Sequence, residues 1–288
     1  MHNKPSFGDV KGILHPQEQA RHRELDRFTA SPQVGRYVEW YWAVRWDLRG
    51  RPPYVAEVLP HPSVNVTFEQ SETRTGAFVN GVCTTKFTRE LTERGWTFGI
   101  KFWAGGFGAF TGIDVGSFRD DVLPLSEVFD DAERLTDLVM SAADDVRRRA
   151  VVEAFLSERL DRPDGGDDPS YRLVLDIVTA MVTDRDLTRV DQVTERFDVP
   201  IRTLQRLFRR YVGVGPKWVL RRYRLHDGAD LLARGRTEEL AALAVGLGYF
   251  DQAHFSREFS ESVGMAPLEY AAACARAGDG AHVPAYAR

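Results

Sequence analysis

The stretch ELAALAVGLGYFDQAHFSREFSESVGMAPLEY, residues 239–270, changes character at its middle and decides the fold of the C-terminal half. Its first part carries apolar residues at helical spacing, which predicts a helix with one buried face. Gly248 follows at a place where a helix end favours a left-handed residue. Asp251 stands as an N-cap between Phe250 and Phe255, which predicts a hydrophobic staple between the two rings. The stretch therefore predicts a helix, a short glycine turn and a second helix.

The second helix of this stretch has two predicted faces. Phe255, Phe259 and Val263 form the face that points toward a core. The other face and the first turn carry small, hydroxyl, amide and basic groups: Gln252, Ala253, His254, Ser256, Arg257 and Ser260. A helix in a DNA major groove presents such groups, since Arg can pair with guanine and Gln with adenine. The alternative interpretation is an ordinary solvated helix face.

The same stretch resembles the second helix-turn-helix of AraC/XylS-type transcription regulators. The residues in register with the family pattern are Ala244, Gly248, Tyr249, Asp251, His254, Phe255, Arg257, Phe259, Gly264, Pro267 and Tyr270. The resemblance implies a sequence-specific transcription regulator. It also implies a C-terminal all-α domain of about seven helices with two helix-turn-helix motifs.

The composition of the 288-residue chain is that of a soluble protein with two domains. The chain is 43% hydrophobic and 28% charged, and its net charge is -4. Any nucleic-acid contact must therefore come from a local basic patch. Cys83 and Cys274 lie far apart without metal-type spacing, which fits a reduced compartment. Because the sequence contains neither a signal peptide nor a membrane-length apolar run, we expect a cytoplasmic protein.

A basic run without acidic residues lies in the segment 202–225. It contains Arg202, Arg206, Arg209, Arg210, Lys217, Arg221, Arg222 and Arg224. The helix predicted over residues 201–212 buries one stripe, made of Leu204, Leu207, Phe208 and Tyr211. Its opposite stripe carries Arg202, Gln205, Arg206 and Arg209. Such clustering in an acidic protein is typical of a phosphate-binding surface.

This basic segment resembles the first helix-turn-helix of the same family. The matching residues are Arg202, Leu204, Gln205, Arg206, Phe208, Gly213 and Pro216. The chain departs from the family at Asp198, where Gly is usual in the turn, and at Pro200, where Ser is the usual helix cap. Asp tolerates the left-handed conformation, whereas Pro offers no side-chain cap.

The resemblance also implies roles for single residues. Bases would be read in one groove by Arg202, Gln205 and Arg206, and in the next by Gln252, His254 and Arg257. Phosphates would be bound by Thr203, Arg209, Lys217 and Ser256. The implied partners are double-stranded operator DNA, a second copy of the chain, a small-molecule effector and, for an activator, RNA polymerase.

The N-terminal half shows the period-2 alternation of strands rather than helical spacing. The first firm strand is predicted over residues 38–46, and further strands over 54–59, 63–69, 77–82, 87–91 and 96–103. Short strands at this spacing predict a small antiparallel β-barrel or sandwich, so the fold class is α+β. Residues 1–30 are predicted to be a loosely held arm with a short helix near residues 17–27.

Tryptophan is concentrated in this half of the chain. Trp40, Trp42 and Trp46 share one face of the first strand, and Trp103 follows the last one. One interpretation is core packing, since each ring buries a large apolar area. The other is a pocket for a largely apolar effector. Because Tyr41 and Arg45 make the opposite face too polar for a second core, we expect the Trp face to point inward.

The sequence carries no sign of catalysis, a cofactor or a metal site. The seven His are dispersed, and His61 lies between two prolines as a turn residue. Cys83 has no neighbouring His or CxxC partner, so we expect a buried thiol. Two alternatives remain for the N-terminal half: a protein-interaction module without a ligand, or an enzyme domain with Cys83 as nucleophile.

We expect the chain to divide into four segments. Residues 1–160 form a sensor or dimerisation domain that ends in one or two helices over 131–160, and residues 100–129 resemble the end of sensor domains in AraC-type regulators. Residues 161–169 form a Pro-, Gly- and Asp-rich linker without apolar residues. Residues 170–276 form the DNA-binding domain, and residues 277–288 form a frayed tail.

Overall fold

The computed structural model describes residues 11–160, 168–237 and 240–279. Within these residues the first half is mainly antiparallel β-sheet and the second half is helical. The predicted α+β class is therefore confirmed. Among the described helices, none is long and apolar enough to cross a membrane.

The strands of the described residues form two sheets. Their bounds are β1 Glu24–Phe28, β2 Val38–Asp47, β3 Tyr54–Val58, β4 Asn65–Gln70, β5 Thr75–Asn80, β6 Phe87–Leu91, β7 Arg94–Phe102 and β8 Val122–Pro124. One antiparallel sheet has the order β1-β2-β7-β4-β5-β8, and β3 pairs with β6 in the other. The strands predicted from the sequence correspond to β2 through β7.

Helices fill the rest of the described chain. In the N-terminal half they are α1 Pro16–Ala20, α2 Gly106–Thr111, α3 Ala132–Ser141 and α4 Asp145–Leu160. In the C-terminal half they are α5 Pro169–Thr183, α6 Val190–Phe197, α7 Ile201–Leu207, α8 Pro216–Ala233, α9 Leu240–Gly246, α10 Gln252–Val263 and α11 Pro267–Asp279. A π-helical turn, Phe208–Val212, extends α7. The apolar pattern over 131–160 thus belongs to two helices.

The helix predicted near residues 17–27 is correct only at its start. α1 occupies the first part, but the following residues form β1. β1 pairs with β2, and Leu25 lies opposite Val44. The expectation of an arm is therefore wrong for this part, because the edge of the main sheet supplies backbone partners that local sequence does not reveal. Residues 1–10 of the predicted arm lie outside the described residues.

The Trp face of β2 lies over glycines of β7. Trp42 is paired with Gly99 and Trp46 with Gly95, and a Cβ atom on either glycine would overlap the opposing indole ring. Trp46 also packs with Ala56 of β3 and Leu91 of β6, so this face is directed toward the second sheet. The inward direction expected for the Trp face holds for Trp46, whereas Trp40 and Trp42 are only half-buried.

The reason given for that direction is wrong, because the opposite face of β2 is also buried. Tyr41 and Ala43 are almost fully inaccessible, and the Tyr41 hydroxyl donates to Glu153 of α4 at 2.6 Å. Arg45 forms an ion pair with Asp145 at the start of α4. The carboxylates of α4 satisfy the polar groups that seemed to exclude a core, so burial of this face costs little.

The two halves of the chain share one apolar core. Tyr171 of α5 stacks on Tyr37 with ring centroids 5.5 Å apart, and its hydroxyl donates to the Arg36 carbonyl at 2.7 Å. Asp168 caps α5, and Pro169 is its first residue; both lie in the predicted linker, whose residues 161–167 are not described. At the other end, α11 extends to Asp279, and residues 280–288 of the predicted tail are not described.

Candidate nucleic-acid interface

The second helix of the deciding stretch, α10, is formed as predicted. Gly248 is left-handed with φ 77°, and the Asp251 side chain caps the helix by accepting the His254 backbone N–H at 2.7 Å. Phe255, Phe259 and Val263 are buried in a second apolar core that includes residues of α8, α9 and α11. The opposite face is therefore turned toward solvent.

The predicted hydrophobic staple is wrong. Phe250 does not pack on Phe255, and 89% of it is exposed. The place beside Phe255 is taken by Tyr249, with ring centroids 5.1 Å apart. Because Phe255 also contacts the α8 backbone near Gly228, a second ring has no room there.

The outer face of α10 exposes the three residues implied as base readers, Gln252, His254 and Arg257, while Ser256 is half-buried. The side chains of Gln252 and Arg257 make no hydrogen bond or ion pair to another described residue. The His254 ring lies 3.8 Å from the carboxylate of Glu258, which is buried one turn further along.

The outer face of α7 has the same character. Leu204 and Leu207 are buried, whereas Arg202, Gln205 and Arg206 are exposed. None of these three polar side chains has a partner among the described residues. Asp198 is left-handed in the preceding turn, with φ 48°, and Pro200 provides no side-chain cap, as expected.

The implied phosphate contacts differ in exposure. Thr203 is half-buried, whereas Arg209 and Lys217 are exposed. The Arg209 backbone lies against Gly116 of the N-terminal half, where a Cβ atom would meet its carbonyl oxygen at 2.9 Å. The end of α7 therefore contacts the sheet domain.

The basic run divides into an exposed part and an engaged part. Arg221 pairs with Glu258 at 2.9 Å, and Arg224 donates to the Gly248 carbonyl at 2.9 Å. Arg222 is buried and donates to the Thr84 carbonyl at 2.5 Å, and its burial lowers the pKa of the guanidinium to about 10. These three arginines hold the fold together, which spacing alone did not reveal.

The predicted effector residues have separate surroundings. Trp40 lies between Arg27 and Lys101, whose charged groups are 4.6 and 4.0 Å from its ring. Trp42 donates to the Asn65 side chain at 3.2 Å, and Trp46 donates to the Thr92 carbonyl at 2.9 Å. Trp103 follows the end of β7 and donates to the Gly35 carbonyl at 3.1 Å.

Sequence reasoning missed the charged residues on the Trp face. Lys101 pairs with Glu39 at 2.9 Å, and buried Glu69 pairs with Arg89 of β6. Lys101 and Glu69 alternate with apolar residues along β7 and β4, and that alternation could have placed them on this face. The surroundings of the indole rings are therefore ionic as well as aromatic.

Other candidate chemistry is limited in the described part of the chain. Cys83 is half-buried rather than buried, and its Sγ lies 3.5 Å from the Thr85 carbonyl. His61 contacts the Lys11 carbonyl at 3.0 Å, and its ring lies 4.2 Å from that of His226. Across residues 11–160, 168–237 and 240–279, His, Cys, Asp and Glu form no cluster suited to a metal ion.

Comparison with known proteins identifies the C-terminal part. Residues 193–273 match a family model described as a helix-turn-helix domain. The HTH-type transcriptional activator RhaS of Pectobacterium carotovorum is 31% identical over 75 residues, which are 26% of each chain. RhaS of Escherichia fergusonii is 32% identical over 79 residues, 27% of this chain and 28% of that one. Residues 193–273 thus form a helix-turn-helix domain similar to that of RhaS, as the resemblance to AraC/XylS-type regulators implied.

The matches to the helix-turn-helix domain and to RhaS cover only part of the molecule. The chain spans about a quarter of the length of the RhaS relatives it matches. Residues 26–124, which run from β1 to β8, match a domain of unknown function (DUF6597). Two crystal structures of ToxT from Vibrio cholerae are similar at 12% identity, with TM-scores of 0.39 and 0.38, over 88% of this chain and 98% of theirs.

Proposed function

We propose that the protein is a transcription regulator that binds double-stranded DNA through α7 and α10. One observation carries this proposal. Each helix follows a left-handed turn, buries its apolar stripe and exposes Arg and Gln side chains that have no partner among the described residues. Exposed side chains without a hydrogen bond or ion pair to the described residues suit base edges in a major groove.

The base-reading roles follow from side-chain chemistry. Arg206 and Arg257 suit guanine, which offers two acceptors to one guanidinium, and Gln205 and Gln252 suit adenine. Arg202 and His254 complete the two sets. If the two helices enter successive grooves on one side of the duplex, their half-sites lie about 10.5 base pairs apart.

The phosphate contacts fix position without reading sequence. Lys217 and Arg209 are exposed cations, and Thr203 and Ser256 offer hydroxyl donors beside the base-reading faces. Each neutralised phosphate releases counterions, so binding should weaken steeply as salt rises.

The test uses full-length protein and an operator enriched from random duplexes. Arg206→Ala and Arg257→Ala should each cost about 1–3 kcal/mol and relax preference at separate base pairs. Lys217→Ala should weaken all sequences alike and lower the salt slope by about one. Arg276→Ala, an exposed arginine of α11, is the matched control and should bind as wild type. Salt-independent binding, or loss of preference at the same base pairs in both Arg variants, would contradict the proposal.

The finer parts of the function are also proposals. The Trp face of β2 is the proposed site of a small-molecule effector, and the Lys101–Glu39 ion pair lies beside it. A homodimer, and contact with RNA polymerase if the protein is an activator, complete the proposed partners. A ligand that quenches Trp fluorescence and shifts operator affinity would support the effector role.

A further inference from the structure

Phe250 is the most exposed of the large apolar side chains described as exposed. It is 89% accessible, whereas Val146, the next in this group, is 64% accessible. Isolated apolar residues on a surface are ordinary and by themselves indicate nothing. The position of Phe250, directly before the N-cap of α10, sets it apart.

The backbone conformation on both sides of Phe250 keeps its side chain exposed. Tyr249 is buried beside Phe255, and its hydroxyl donates to Glu258 at 3.0 Å. Asp251 is extended and is held by its cap to the His254 N–H. With the residues before and after it fixed, the Phe250 ring cannot enter the core, which Phe255 already fills.

The ring lies next to the proposed base-reading face. Gln252, Ala253 and His254 are exposed in the first turn of α10. The N-terminal residues of a recognition helix are those that approach base edges. In a major groove the apolar group available to such a ring is the C5-methyl of thymine, which Phe can contact.

We propose that Phe250 is a specificity-determining residue that packs its ring against a thymine methyl group in the groove entered by α10. This inference rests on the proposed function. On binding, the ring would leave water together with the methyl group, which favours A·T over G·C at one position of the half-site.

The experiment removes the Phe250 ring and the thymine methyl group in turn. Full-length wild type, Phe250→Ala and Phe250→Leu are titrated against the enriched operator and against duplexes with one thymine at a time replaced by deoxyuridine, which lacks the methyl group. At one position the wild type should lose about fourfold in affinity, as expected for one buried methyl group. Phe250→Ala should bind the unmodified operator about tenfold more weakly and be insensitive at that position, and Phe250→Leu should be intermediate.

Two controls separate this contact from other effects. Val146→Ala, which removes an exposed apolar side chain from α4, should bind as wild type. Phe250→Ala should retain the wild-type unfolding temperature and salt slope, because the ring supports neither the core nor a phosphate contact.

The possible outcomes are distinct. Unchanged affinity of Phe250→Ala for an enriched operator overturns the inference alone. Equal sensitivity of wild type and Phe250→Ala at every deoxyuridine position also overturns it, because the ring then touches no methyl group. A wild-type protein that enriches no sequence contradicts the proposed function, and this inference with it.

Discussion

At the scale of single residues, Glu258 fixes the orientation of α10. It is only 4% exposed, accepts from the Tyr249 hydroxyl at 3.0 Å, and pairs with Arg221 of α8 at 2.9 Å. One carboxylate therefore links α8, the turn before α10 and α10 itself. Burial, followed by the nearby Glu258 charge, raises the pKa of the Tyr249 hydroxyl, so that it stays protonated and remains a donor. Since Arg221 is used here, it is not available for phosphate.

Glu258→Ala should destabilise the protein by about 1–3 kcal/mol, because it leaves the buried Tyr249 hydroxyl and the Arg221 charge without their carboxylate partner. The loss of stability stays in this range because Arg221 is 45% exposed and can turn to water. Chemical denaturation measures the change in the free energy of unfolding. Operator affinity should fall without a change in base preference, since the helix is tilted but its outer face is intact.

Glu261→Ala, an exposed carboxylate on the same helix, is the matched control and should change stability by less than about 0.5 kcal/mol. If the two variants unfold alike, Glu258 does not fix α10.

At the scale of elements, the local sequence pattern predicted most helices and strands. It did not predict which side chains cover the faces of those elements. β2 through β7, α7 and α10 follow from alternation, helical spacing and turn residues. β1 and β8 were missed because their strand state depends on pairing with β2 and β5. The exposed polar face of α10 was predicted, but the direction of Phe250 was not. Local sequence allowed either Tyr249 or Phe250 to pack on Phe255, and only the full core settles which one does.

The contact between Trp42 and Gly99 gives an element-scale prediction. Gly99→Ala should destabilise the protein by about 1–3 kcal/mol, because its methyl group overlaps the indole ring. Trp42→Leu removes that ring, so the double variant should cost clearly less than the sum of the two single changes. Urea unfolding of the four proteins measures the coupling.

Gly246→Ala is the matched control. Gly246 ends α9, has open space around the Cβ position and should tolerate Ala at little cost. Additive costs for Gly99→Ala and Trp42→Leu would mean that the ring and the strand do not depend on each other.

At the scale of the whole molecule, the sheet domain is joined to α8, which connects the two helix-turn-helix motifs. Lys11 pairs with Asp227 at 2.8 Å, and Arg222 donates to the Thr84 carbonyl. His226 donates from Nε2 to the Leu59 carbonyl at 2.9 Å and packs against His61. These contacts connect the sheet domain to both helix-turn-helix motifs through α8.

The pair of His61 and His226 makes the contact between the sheet domain and α8 sensitive to acid. Burial, with Arg222, Lys101 and Lys11 nearby, lowers the pKa of His226 to about 3, and burial lowers that of His61 well below its usual value. Of the two nitrogens of His226, Nδ1 has no partner among the described residues, so a proton there would be buried without an acceptor. Both rings are therefore neutral in the folded state.

Since the unfolded chain binds these protons near pH 6.5 and the folded one does not, stability is full above pH 6.5 and falls as pH drops towards 3. His226 alone should account for about 1.4 kcal/mol lost between pH 7.5 and 5.5. His226→Gln keeps a donor for the Leu59 carbonyl but cannot titrate, so urea unfolding should show a smaller acid loss than in wild type. His254→Gln, at an exposed histidine, should retain the wild-type loss. Equal pH dependence in wild type and His226→Gln would mean that protonation of His226 does not contribute to the loss of stability in acid. The acid sensitivity would then have to arise elsewhere in the molecule.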